Sequence, residues 1–160
     1  MSASCSERAG RGFTLIELIA VLLLVSVLAV VALPRFDGVF AFRDDAWRSN
    51  LVAALQHARQ TAVAHRRLVC VTIDASGVSL RIAAANPASA CTTALPGPDG
   101  QSTWAAASGT TTSASPTATI HFQPVGRATR DGAGTQVDTW RIAITGQSTI
   151  TLYGETGLVD

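Results

Sequence analysis

The chain has 160 residues, enough for one small domain and an anchor but not for several independent cores. All twelve of its basic residues are Arg, and against eleven acids they leave a formal charge of +1. That balance excludes a globally basic nucleic-acid binder; any such contact would have to come from a local patch.

Residues 1–12 carry Arg8 and Arg11 and lead into an apolar block, Phe13 to Leu33, of 21 positions in which Glu17 is the sole charge. About 20 such residues span a bilayer core as a helix. A carboxylate inside that stretch costs roughly 2.5 kcal/mol or more near the centre, so it points to function. Arg8 and Arg11 fit a cytoplasmic start by the positive-inside tendency. Arg35, Arg43 and Arg48 follow the block, so charge bias alone does not settle orientation. A conventional secretory signal would use Val30-Val31-Ala32 as a small-residue cleavage site, but Glu17 is atypical of its apolar core.

The string Gly12-Phe13-Thr14-Leu15-Ile16-Glu17-Leu18 resembles the type III signal of type IV prepilins and type II secretion pseudopilins. The resemblance implies a leader over residues 1–12, removed after Gly12 by a prepilin peptidase that also methylates the new N-terminus at Phe13. It makes Glu17 the fifth residue of the mature chain and places residues 13–34 in the membrane as the first half of a long helix. Once the leader is gone the chain holds ten Arg and ten acids. Glu17 then has a physical partner: the α-amino group of Phe13, on its own or a neighbouring subunit. A buried ion pair of that kind specifies register more than it adds net stability.

Helical spacing continues past the block. Phe36, Val39, Phe40, Trp47, Leu51, Ala54, Leu55, Ala58, Ala62 and Val63 recur at three and four residues, with Arg43, Asp44, Arg48, Gln56, Arg59 and Gln60 mostly elsewhere. Residues 35–66 read as the amphipathic second half of one helix reaching from about Phe13 to about His65, roughly 80 Å long. Pro34, supported by Asp37-Gly38, removes a backbone hydrogen bond and marks a kink, or a plain break between two helices.

Residues 67–160 read as a small antiparallel sheet domain. Leu68–Asp74 and Val78–Ala83 flank the turn signal Ala75-Ser76-Gly77. The Ala-, Ser-, Thr-, Gly- and Pro-rich stretch 84–116 reads as a long loop with at most a short strand near Ser102–Ala105. Further strands are expected at Thr117–Phe122, Thr139–Thr145 and Ser148–Tyr153, with a tight turn at Gly146-Gln147 and a positive φ at Gly157. Of three cysteines, Cys5 lies in the leader. Cys70 and Cys91 remain, as one disulfide in an exported protein or as two buried thiols.

The segments Leu51–Ile73, Phe122–Arg130 and Ile150–Asp160 resemble the GspH/FimT group of minor pseudopilins and minor pilins, and also MshC-type minor pilins. The fold this implies is α+β: one long N-terminal helix packed on the sheet domain. The function implied is that of a minor subunit of a type II secretion pseudopilus or a type IV pilus. Its partners would be other pilin-type subunits, the prepilin peptidase, an inner-membrane assembly platform and membrane lipid, with the sheet domain in the periplasm. An alternative is DNA uptake, because Gly126-Arg127-Ala128-Thr129-Arg130 resembles the GRxR motif of a DNA-binding branch. Here the spacing is one residue longer, Asp131 follows at once, and a solvated turn explains the same residues. No metal or nucleophile motif is present, and His57 and His65, eight apart on a helix, cannot chelate one ion. No enzymatic activity and no cofactor is expected.

Overall fold

The structure, a computed structural model, describes residues 13–32, 37–106, 109–117 and 119–160, with side chains described outside 30–42. The chain divides into two compact units, Met1–Val39 and Phe40–Asp160.

The first unit holds α1, Leu15–Ala32. Thr14 starts it: its Oγ1 accepts the Glu17 backbone N–H at 3.3 Å, and its carbonyl accepts the Leu18 N–H at 3.2 Å. The side chains from Phe13 through Leu28 stand exposed, Leu22 at 61%. No helix among the described residues is long and apolar enough to cross a membrane. Within the expected span 13–34, α1 covers 15–32 and at 1.5 Å per residue reaches about 27 Å. The single helix expected from Phe13 to His65 is seen as two stretches, α1 and α2 (Asp37–His65). Residues 33–36 between them, Pro34 included, lie outside those described, as does Gly12.

In the second unit, α2 buries Trp47, Leu51, Ala54, Leu55, Ala58 and Ala62, one stripe at three- and four-residue spacing. The small side chains of Ala54, Ala58 and Ala62 bring the helix backbone close to the strands, as the sequence pattern implies. α2 ends in an αL residue: Arg66 has φ 52°, and the Arg67 N–H donates to the Ala62 carbonyl at 3.1 Å. Glycine is the usual occupant of this cap.

The strands are β1 (Val69–Asp74), β2 (Gly77–Ile82), β3 (Thr93–Ala94), β4 (Thr103–Ala105), β5 (Thr112–Ser115), β6 (Ile120–Phe122), β7 (Ala128–Thr129), β8 (Trp140–Ile144), β9 (Ile150–Tyr153) and β10 (Leu158–Val159). They form two antiparallel sheets instead of one. The first runs β3-β2-β1-β6-β7, with β4 also on β2; the second runs β10-β9-β8-β5. Val69, Val71, Val78, Leu80, Ile120 and Phe122 of the first and Trp140, Ile142, Ile150 and Leu152 of the second share one core with α2. Each fully buried side chain of this size contributes about 1.5–3 kcal/mol.

The β1–β2 hairpin turns on Ala75-Ser76, and its Asp74 carboxylate accepts the Ser76 N–H at 2.8 Å and the Ser76 hydroxyl at 2.7 Å. Gly77 belongs to β2, where a Cβ would meet the Trp104 carbonyl oxygen at 2.4 Å; β4 presses on it that closely. The stretch expected as a loop, 84–116, contributes β3, β4 and β5. β5 is polar and carried no apolar alternation. Its place comes from β8 beside it and from Thr112, whose hydroxyl accepts the buried Trp47 indole N–H at 2.8 Å. Cys70 and Cys91 form a disulfide with Cα atoms 5.9 Å apart. It fastens the loop after β2 to β1, and Leu68, Ala83 and Ala88 pack around it.

Candidate functional site

Two places hold the residues singled out by sequence: the start of α1, and the far end of α2 with the turns beside it. At the first, Thr14-Leu15-Ile16-Glu17 has the capping-box form Thr-x-x-Glu. Glu17 stands in the first turn, where a negative charge is favoured by the helix dipole. The Thr14–Glu17 spacing is the sequence signal for this cap, beside the pairing role expected of Glu17. Phe13 is 79% exposed.

At the second place, β6 and β7 are joined by a tight turn. The Gly126 N–H donates to the Gln123 carbonyl, and the Gln123 N–H donates to the Arg127 carbonyl, both at 2.8 Å. Gly126, at φ 89°, permits it. Arg127 Nη2 donates to Glu155 Oε2 at 2.7 Å, and Arg130 is ion-paired with Asp138. Asp131, which the sequence suggested as the offsetting charge, turns into its own loop. There it accepts the Gln136 N–H at 2.7 Å and the Thr135 N–H at 3.1 Å, which lower its pKa. So Arg127 and Arg130 each face a carboxylate from a later segment. Glu155 could not be matched to Arg127 from the sequence, because that pairing crosses between sheets, whereas Arg130 and Asp138 flank the local Thr129–Val137 bridge.

The turn Gly154-Glu155-Thr156-Gly157 reaches under this hairpin. The Ala128 N–H donates to the Gly154 carbonyl at 2.7 Å, which ties β7 of the first sheet to the end of β9 in the second. A Cβ on Gly154 would lie 1.9 Å from the Asp138 carbonyl oxygen, and one on Gly157 would lie 2.1 Å from that of Gly126. Gly157 has φ 65°, the positive value expected. Arg59 of α2 lies against the same turn, its Nε 2.8 Å from the Gly157 Cβ position. Among the described residues no group of three His, Cys, Asp or Glu side chains could hold a metal ion. His57 Nε2 stands 3.1 Å from the Pro96 carbonyl oxygen, a structural contact.

Residues 49–154 match the family described as type II transport protein GspH. The chain belongs to the GspH family. Residues 8–33 of this GspH-family chain match the prokaryotic N-terminal methylation motif. Two crystal structures of the type IV minor pilin FimU from Pseudomonas aeruginosa PAO1 share its fold at a TM-score of 0.50. They are 17% and 18% identical to it, and the matches cover 72% of this chain and 90% and 85% of theirs. At such identity the likeness is one of fold. No curated protein matches the chain in sequence. The chain is thus a minor pseudopilin or pilin subunit with the α+β pilin fold, as the resemblances in the sequence implied.

Proposed function

We propose that this subunit is made with residues 1–12 as a leader, is cut after Gly12 and methylated at Phe13 by a prepilin peptidase, and is held in the bacterial inner membrane by residues 13–34. Its sheet domain lies in the periplasm, and the subunit joins a filament built by an inner-membrane platform and driven by a cytoplasmic ATPase. One observation carries the reading. A methylation motif over residues 8–33 is continuous with a helix whose apolar side chains are exposed along its described length, in the same chain as a GspH domain. That helix has no core of its own, so lipid and then neighbouring subunits are the environments that cover it.

Glu17 is the assembly residue in this scheme. In hydrocarbon its carboxylate needs a cation, and the Phe13 amine of a neighbour supplies one in a single axial register. Before assembly the same carboxylate stands in the first turn of α1, where the helix dipole favours it. Mass spectrometry of the membrane-extracted chain should find an N-methylated Phe13 terminus. Glu17→Ala should leave insertion and the sheet domain unchanged while lowering recovery of the subunit with the filament. A native terminus at Leu33, or normal incorporation of the Glu17→Ala chain, would overturn the scheme. The DNA-uptake alternative has no observation in its favour, since Arg127 and Arg130 are each held by a carboxylate.

A further inference from the structure

Around the Gly154–Gly157 turn the charges do not balance. Arg59 and Arg127 both reach this turn, but Glu155 pairs with Arg127 alone. Arg59 has no carboxylate within ion-pair distance among the described residues. The Nε atoms of both arginines are buried and meet no hydrogen-bond acceptor among the described residues. A buried guanidinium N–H without an acceptor is costly, and interfaces commonly use an arginine so placed as an anchor.

The rim is apolar. Val63 of α2 touches the Gly126 position at 3.3 Å, and Val125, next to Gly126, is 76% exposed. Leu158, next to Gly157, is 58% exposed. Two half-covered guanidiniums, one carboxylate and three exposed aliphatic side chains leave a net charge of one to neutralise.

We infer that the Arg59–Arg127 notch at the end of α2 is a docking site for a single carboxylate, carried by an apolar-flanked segment of another pilin-type subunit. The inference rests on reading the chain as a filament subunit. Charge decides the occupant. One carboxylate neutralises the charge of Arg59 that Glu155 leaves uncompensated. A polyphosphate backbone would bring excess charge against Glu155 and would gain nothing from Val63, Val125 and Leu158. Desolvation by that aliphatic rim strengthens the Arg–carboxylate contact, which is the arrangement of an energetically central interface residue ringed by apolar neighbours.

The test uses the full chain co-produced in membranes with the other pilin-type subunits of its own system, together with melting of each variant. Arg59→Gln should reduce co-purification of a partner subunit about tenfold or more, as expected for removing one side of a desolvated charge pair. Val125→Asp places a carboxylate at the rim to occupy the notch from within the chain. At an exposed position it should leave melting unchanged and still lower co-purification. Should Arg59→Gln fail to fold, Val125→Asp decides alone. Co-purification equal to wild type for a folded Arg59→Gln or for Val125→Asp overturns the inference. So does binding of a 20-base-pair DNA duplex that is lost with Arg59→Gln, which would make the notch a phosphate site. If the wild-type chain itself recovers no partner, the filament reading fails instead, which separates the two.

Discussion

The two units use the same residue types in opposite ways. In α1, Leu22, Leu23, Leu24 and Val27 are each more than 60% exposed; in the second unit, Leu51, Leu55, Val69 and Leu152 are fully buried. Composition alone does not tell these leucines and valines apart. The surroundings do: the second unit's apolar side chains alternate with polar ones and are buried, while the described side chains of α1 stand exposed. The lesson is that the second unit carries its own core, whereas α1 buries none of its described side chains.

The largest effect should come from breaking the sheet domain's core. Leu55→Ala removes a side chain with no exposed surface and should destabilise that domain by about 2–5 kcal/mol. Leu22→Ala in α1 should leave the same melting transition in place. Equal effects from both would mean that the two units do not differ as described.

Next in size is the disulfide. Replacing Cys70 and Cys91, which lie 21 positions apart, should cost on the order of 3 kcal/mol by loop entropy. The loss should be read as a lower midpoint of the sheet domain, with early proteolysis within 84–92. An unchanged midpoint would show that Leu68, Ala83 and Ala88 hold the loop unaided.

The smallest effect sharpens the comparison by touching backbone alone. Arg66→Gly at the αL end of α2 relieves a crowded left-handed conformation. Because glycine also loosens the unfolded chain, the net gain should be about 0.5 kcal/mol. A lower midpoint for this variant would mean that the Arg66 side chain itself stabilises the helix end.

Much of this was legible in the sequence. The α2 stripe, β1, β2, β8, β9, the turn at Gly146 and the αL glycine at 157 follow from periodicity and turn chemistry. β5 and β7 did not, because Thr112–Ser115 and Ala128–Thr129 have too little apolar character to announce a strand; β8 and β6 place them. The division into two sheets was hidden for the same reason. At the candidate site, Arg127 was visible as a basic residue, but its partner Glu155 and its neighbour Arg59 were not. Both meet it through a turn that only the closed fold brings under α2. Thr14 is the opposite case, since Thr-x-x-Glu is a local pattern that needs no closed fold to be seen.

Trp47 donates its buried indole N–H to Thr112, 65 residues later, and Arg48 donates to the Ser148 carbonyl at a separation of 100. The face of α2 that carries Trp47 therefore cannot close until most of the chain has been delivered. Contacts this distant in sequence slow folding, since the loops between them must be ordered first. While the chain is still emerging, the Trp47–Ala62 stripe of α2 is uncovered, and a growing chain of this kind presents sticky surface to its surroundings throughout its transit. The order of delivery follows directly. The segment that offers its surface first is covered in stages: β1 and β2 follow it directly, and the strands from 140 to 152 complete the core last.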